Sequence, residues 1–193
     1  MSDVGVPVRV EWGRKSIHLA MFVFPAWIAL VPDPLRRHGL LLALLLILTT
    51  DVLRLRWRPF RCAVHARVGA YLRPHEHQRL TSVHYLTFAA WALAWLAPRP
   101  IAAAALGFLV LGDAAAAVVG ERWGRRRWGG KSLEGSLACF AGCVVAGLLF
   151  LPQHPAAVLG AAAIVSVVEA LPLGVNDNLS MPFAATAVLW WLV

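Results

Sequence analysis

Apolar residues run along this chain in long blocks, broken by short segments rich in arginine, proline and glycine. The blocks fall at Ile17 to Val31, Leu40 to Leu53, Ser82 to Ala97, Ile101 to Val119, Leu133 to Leu151, Ala156 to Leu171 and Leu179 to Val193. A bilayer asks for roughly 20 apolar residues per helix, so the shorter blocks must tilt or let their ends snorkel to reach across. The pattern predicts an all-α, polytopic integral membrane protein with about seven transmembrane helices, forming one domain over residues 1–193. Ile17 to Val31 has the length of a signal-peptide core. Pro32, Asp33 and Pro34 follow it where small residues would be cleaved, so it reads as a retained span.

The longest polar connection runs from Arg54 to Arg79. On a helix over residues 58–73, Phe60, Val64, Val68, Tyr71 and Leu72 share one face, while Arg58, Arg61, His65 and Arg73 lie away from it. This suits a helix lying on the membrane surface and equally one packed on the protein's own spans.

The 193 residues are 60% hydrophobic and carry 18 Lys+Arg against 10 Asp+Glu, a net charge of +8. In a soluble protein that excess would point to nucleic acid. Here the charges occupy short loops between spans, so topology and anionic phosphates explain them and no nucleic-acid partner is expected. With a cytoplasmic N-terminus, only Arg36, Arg37 and Arg99 of the basic residues fall outside, as the positive-inside rule demands. A prokaryotic cytoplasmic membrane suits this topology. It also collects the polar clusters Glu11 to His18, His75 to His84, Asp113 to Ser136 and Glu169 to Asn178 at the cytoplasmic ends of the spans. A transporter would place polar groups near the midplane. One-sided chemistry fits an enzyme that brings a cytosolic donor to a membrane acceptor.

The densest chemistry lies in Leu111 to Ser136. Asp113 is a bare carboxylate in an apolar block, about 10 Å below the helix end at Gly120, where it can meet both a lipid headgroup and a nucleotide. The bland reading is an ion pair with an arginine of a neighbouring helix. The loop from Glu121 to Gly130 carries Arg122, Arg125, Arg126 and Arg127, residues that act elsewhere as topology determinants. Gly130-Lys131-Ser132 has the ending of a phosphate-binding loop, but Arg125 stands where that motif needs glycine. Glycine amides, Lys131 and the positive end of the following helix still converge where phosphates would be held. Ser132 also suits a plain helix cap, with Glu134 complementing the dipole.

Asp177 and Asn178 offer oxygen ligands of the kind Mg²⁺ takes, although Asn-Asp-Asn is also a common turn. His75 and His77 stand two apart and point differently on a helix, which argues against zinc. Cys62, Cys139 and Cys143 have no metal-ligand spacing, and the last two suit packing one helical turn apart. Asp51 suits neutralisation of Arg54.

These residues resemble the polyprenol-type lipid kinases, comprising dolichol kinase, phytol kinase and CTP-dependent diacylglycerol kinase. The likeness rests on Gly112-Asp113-Ala114-Ala115 with Gly120 and Gly124, and on Lys131-Ser132-Leu133-Glu134-Gly135-Ser136. Glu169 followed by Asp177-Asn178-Leu179 and Pro182 extends it, as do Arg14-Lys15 with His18, and Glu76 with Arg79-Leu80-Thr81. The resemblance implies transfer of the γ-phosphate of a nucleoside triphosphate, typically CTP, to the hydroxyl of a membrane lipid alcohol such as phytol, a polyprenol, dolichol or diacylglycerol.

Combined with the residue chemistry, it gives an expected site. Asp113 and Asp177, with Asn178, hold Mg²⁺. Lys131, Gly130, Ser132 and arginines among Arg122, Arg125, Arg126 and Arg127 hold the nucleotide, and either Glu134 or Glu169 accepts the hydroxyl proton. Arg14, Lys15, His18, Glu76, Arg79 and Thr81 are further candidates. Two other classes compete: a CTP-dependent cytidylyltransferase acting on a lipid phosphate, and a membrane adaptor or carrier without catalysis. The pattern fixes neither the lipid nor an oligomeric state.

Overall fold

A computed structural model describes residues 13, 16–128, 131–171 and 176–193; Arg14, Lys15 and Gly130 lie outside the described residues. The described chain is mostly helical. Its helices are α1 (Val23–Leu30), α2 (Leu35–Arg56), α3 (Arg58–Val68), α4 (Ser82–Leu96), α5 (Arg99–Gly107), α6 (Asp113–Trp123), α7 (Leu133–Phe150), α8 (Pro155–Ala170) and α9 (Asp177–Leu192). A further helical stretch precedes α1, so that the apolar unit there spans Ser16–Leu30.

Three helical runs are long and apolar enough to cross a membrane: Leu35–Arg56, Arg99–Trp123 and Leu133–Phe150. The apolar helices Ser16–Leu30, α4, α8 and α9 are shorter, at 15 or 16 residues for the last three. The block expected to be shortest, Leu40 to Leu53, instead belongs to a 22-residue helix. That helix continues past the apolar block because its arginines find partners at both ends. At one end Arg36 donates to Asp33 at 2.8 Å, and at the other Arg54 donates to Asp51 at 2.9 Å.

The all-α expectation needs one local correction. Arg127–Trp128 and Lys131–Ser132 form two short strands, β1 and β2, paired antiparallel with Arg127 opposite Ser132 and Trp128 opposite Lys131. Glu134 secures this reversal by accepting the backbone N–H groups of Arg125 at 3.1 Å and Arg126 at 3.4 Å. Glu121 and Arg122, expected in the loop, belong to α6, which runs through Trp123. In the long connection, α3 forms within the helix expected over 58–73 and is followed by a 3₁₀ turn at Gly69–Tyr71.

The core sits around α5. Ile101 to Leu106 and Phe108 to Val110 are all buried, and the small side chains Ala102 to Ala105 let neighbouring helices approach closely. Between α5 and α6 the backbone widens into a π turn at Phe108–Gly112, ending directly before Asp113. Turns of this kind occur mostly as single-turn bulges inside α-helices, frequently at functional sites. Helix α7 packs tightly against it. A Cβ on Gly142 would lie 2.6 Å from the Leu111 carbonyl oxygen and 3.1 Å from the Gly112 Cα. The Cys143 thiol donates to the Phe108 carbonyl at 3.6 Å, and Cys139 and Cys143 are buried, as packing residues should be.

Because the atoms facing Gly142 are backbone, they cannot yield as a side chain would. Gly142→Ala should therefore lower stability by about 1 to 3 kcal/mol, measured by unfolding in mild detergent.

At one end of the bundle, Asp33 gathers three arginines. Arg36 lies at 2.8 Å, Arg37 at 3.4 Å and Arg99 at 3.7 Å. The other polar clusters assemble at the opposite ends of the same helices.

Candidate active site

Four separate segments deliver charged side chains to one place. Asp113 opens α6, Lys131 lies on β2, Glu169 stands in the last turn of α8, and Asp177 opens α9. The Lys131 ammonium donates to Glu169 Oε1 and lies 3.7 Å from Asp177 Oδ2. Glu169 is only 3% exposed, whereas Lys131 is 36% exposed and faces a cavity of about 230 Å³. Burial alone would lower the Lys131 pKa. The hydrogen bond and charge of Glu169, with the charges of Asp177 and Asp113, outweigh it and hold the ammonium above its usual value. The ammonium therefore persists through the neutral range, and the stability it adds is lost only as pH rises through that raised pKa.

The same cavity is lined by Asp113, Arg127, Ser132, Gly135 and Glu169. Ser132 caps α7, its Oγ accepting the Gly135 N–H at 3.1 Å, so the start of this helix faces the cavity with its positive end. Of the four arginines, Arg127 alone lines the cavity. It also donates to the Gly120 carbonyl at 3.3 Å and the Gly124 carbonyl at 3.4 Å, closing the end of α6. Arg122 lies over the Trp123 ring, and Arg125 and Arg126 are exposed. Glu134 is turned to the loop amides and lines neither this cavity nor the one behind it.

A second cavity, of about 270 Å³, lies on the other side of α6. Asp113, Ala117 and Glu121 line both cavities, so this face of α6 is a shared wall. Across the second cavity, His18 Nε2 stands 3.4 Å from Asp113 Oδ2. Asn178, expected with Asp113 and Asp177 at the Mg²⁺, lines this second cavity instead and donates to the Ser82 carbonyl at 2.7 Å, tying α9 to α4.

Glu76 lines this second space, whereas Arg79 and Thr81 lie outside its lining, in the connection that Arg54 and Asp51 anchor. Glu76 is buried and accepts the Arg73 N–H at 2.8 Å, the Ser82 N–H at 2.6 Å and the Ser82 hydroxyl at 2.5 Å. Arg54, 2% exposed, donates to the Glu76 carbonyl at 2.7 Å and the Arg79 carbonyl at 2.8 Å. Thr81 donates to Asp51 through both its N–H and its hydroxyl, each at 2.9 Å. Asp51 thus meets Arg54, as its place in the sequence implied, and clamps the connection as well.

Burial would raise the Glu76 pKa, but the hydrogen bonds from Ser82 and Arg73 outweigh it and hold the carboxyl below its usual range. A lowered carboxyl pKa adds stability above the unfolded value, and that stability is lost as pH falls through the folded one. Glu76→Gln should cost about 1 to 3 kcal/mol at neutral pH. The deficit should shrink as pH is lowered below the usual carboxylate range, in a denaturation series against pH.

Sequence reasoning had named Asp113, Lys131, Glu169 and Asp177, and the fold brings them together. It missed Ser82, the hub between Glu76 and Asn178, although a serine following Thr81 at the start of an apolar block is a helix-start signal. It also missed the π turn, which has no sequence signal. No family model, characterised protein or solved structure matches this chain.

Proposed function

We propose that this protein is a Mg²⁺-dependent phosphotransferase of the bilayer. It moves the γ-phosphate of a nucleoside triphosphate, CTP by the family resemblance, onto the hydroxyl of a membrane lipid alcohol. The observation that carries the reading is the convergence of Asp113, Lys131 and Glu169 on one cavity, with Asp177 3.7 Å from the Lys131 ammonium, and the sharing of that cavity's wall with a second one. A reaction joining a water-soluble donor to a membrane acceptor needs two such spaces meeting at one charged wall.

The proposed topology has seven spans, the N-terminus in the cytoplasm and the site at the cytoplasmic end. Clustering of Arg36, Arg37 and Arg99 on Asp33 supports it, because all three lie at the end opposite the site. The shorter helices span by tilting within the bundle.

Donor phosphates lie in the first cavity, against the Lys131 ammonium, Arg127 and the N-terminus of α7. Mg²⁺ suits the donor set. Two carboxylates besides Glu169 face a single ammonium, and Mg²⁺ binds proteins through one or two carboxylates while keeping other positions for water and phosphate. Among the described residues no cluster of three or more acids, histidines or cysteines makes a dedicated metal cage. Asp113 and Asp177 would hold the ion, which would neutralise charge on the phosphates.

In the transfer, the acceptor oxygen bonds to the γ-phosphorus as the bond to the β–γ bridging oxygen breaks. The nucleoside diphosphate leaves. Positioning and charge stabilisation dominate such reactions. Of the two carboxylates considered for the hydroxyl proton, Glu169 lines the donor cavity and Glu134 lines neither, which favours Glu169 as the base.

The test is phosphate transfer from γ-labelled CTP, ATP, GTP and UTP to a panel of lipid alcohols, by the purified protein in lipid with Mg²⁺. A labelled lipid that requires metal supports the reading. Pyrophosphate release from CTP and phosphatidate, with no labelled alcohol, would replace it by a cytidylyltransferase. No turnover and no nucleotide binding would leave an adaptor or carrier.

A further inference from the structure

The three arginines around Asp33 are more than one carboxylate can balance. Arg36 is 3% exposed, and its Nε and Nη1 have no hydrogen-bond partner among the described residues. Asp33, which accepts from its Nη2 at 2.8 Å, is the counter-charge this buried guanidinium draws on. Arg37 and Arg99, both partly exposed, stand further from the same carboxylate, at 3.4 and 3.7 Å. Three positive charges thus meet one negative charge, and an excess of two is left on the outer pair.

That pair is arranged as a receptor would be. Arg37 Nε donates to the Ala94 carbonyl at 3.2 Å, and its guanidinium carbon lies 4.3 Å over the Trp95 ring. Both contacts fix the plane of the fork, while its terminal nitrogens make no hydrogen bond within the described residues. Arg99 arrives from a different segment, as the first residue of α5. Two helix starts meet here as well. Neither α2 nor α5 has a side-chain cap or an acidic residue in its first turn, so their positive ends add to the arginines. The surroundings are apolar and exposed, at Leu30 and Leu35 on either side of Asp33 and at Trp95 and Leu96 just before Arg99.

We infer that Arg37 and Arg99 hold the phosphate of an anionic phospholipid at the end of the bundle opposite the candidate active site. The inference takes from the proposed function only that the helices span a bilayer, and it is independent of phosphoryl transfer. Two arginine forks match the oxygens of a phosphodiester, and the exposed leucines and Trp95 give its chains an apolar flank. A headgroup without a cation balances the excess charge, whereas a choline headgroup would bring a further positive charge to the arginines. Topology alone does not account for the cluster, because the positive-inside rule acts through basic residues at the other end.

The test uses the full chain in detergent micelles. Native mass spectrometry measures binding of phosphatidylglycerol and of phosphatidylcholine with the same acyl chains, with glycerophosphoglycerol as the anionic headgroup lacking chains. The variants are the double substitution Arg37→Gln with Arg99→Gln, Arg99→Gln alone, and Arg67→Gln on α3 at the other end as a charge control. The wild type should bind phosphatidylglycerol about tenfold more tightly than phosphatidylcholine, and the double variant should lose that preference while Arg67→Gln keeps it. Equal binding of the two lipids by the wild type, or a preference retained in the double variant, would overturn the site and leave the arginines as a brace for the turn. Where the double variant does not fold, Arg99→Gln decides by the same criterion, since Arg99 reaches Asp33 only at 3.7 Å. Glycerophosphoglycerol bound as tightly as the lipid would overturn the lipid assignment in favour of a soluble phosphate. No arm uses a nucleotide, so these outcomes stand apart from those of the phosphate-transfer assay.

Discussion

Asp113→Asn is expected to lower phosphate transfer by on the order of 10³-fold while the protein stays folded. The substitution keeps the volume and removes the charge. Asp113 stands at the only point where three features meet among the described residues: the end of the π turn, the wall shared by the two cavities, and the approach to Lys131 and His18. A neutral amide there would hold the proposed Mg²⁺ more weakly than a carboxylate and cannot balance the ammonium while phosphates are absent. The fold should tolerate it, because the side chain is 27% exposed and its neighbour His18 has Nε2 at 3.4 Å, where an amide can still meet it. Turnover with labelled nucleotide, read beside thermal unfolding in detergent, separates the effects. An active Asp113→Asn would remove Asp113 from the chemistry, and an unfolded one would make it a structural residue.

The sequence carried much of this arrangement, for definable reasons. Apolar blocks translate directly into helices because a helix satisfies its own backbone in a medium that cannot. The topological argument then placed Asp113, Lys131, Glu169 and Asp177 at one end, since alternating spans fix which loops are neighbours. Long-range partners were not legible. Leu40 to Leu53 became a 22-residue helix because Arg36 meets Asp33 and Arg54 reaches the carbonyls of Glu76 and Arg79, more than 20 positions away for the latter pair. Four arginines looked equivalent in the chain. Only the β1–β2 reversal and its Glu134 anchor bring Arg127 to the lining of the first cavity and leave Arg125 and Arg126 off it. The π turn depends on how closely Gly142 and Cys143 approach it, and a contact between two helices leaves no mark in either alone.

Lys131→Met should have the second large effect, one that divides into a structural and a functional part. Removing the ammonium strands the Glu169 carboxylate, 3% exposed, without its counter-charge. Breaking a buried pair from one side costs more than the pair is worth, because the remaining charge keeps its desolvation penalty. Lys131 itself is 36% exposed, so solvent screens part of the interaction, and the expected loss is about 2 to 3 kcal/mol rather than the full value for a buried pair. Adding Glu169→Gln removes the stranded charge, so the double variant should recover most of that stability. It should not recover nucleotide binding, since no cation has been restored to the donor cavity beside Asp113 and Arg127. Unfolding in detergent and nucleotide binding, measured on both single variants and the double, form a cycle that isolates the coupling. Stability and binding restored together would make the Lys131–Glu169 pair scaffolding alone; stability restored with binding still lost assigns Lys131 to the phosphates.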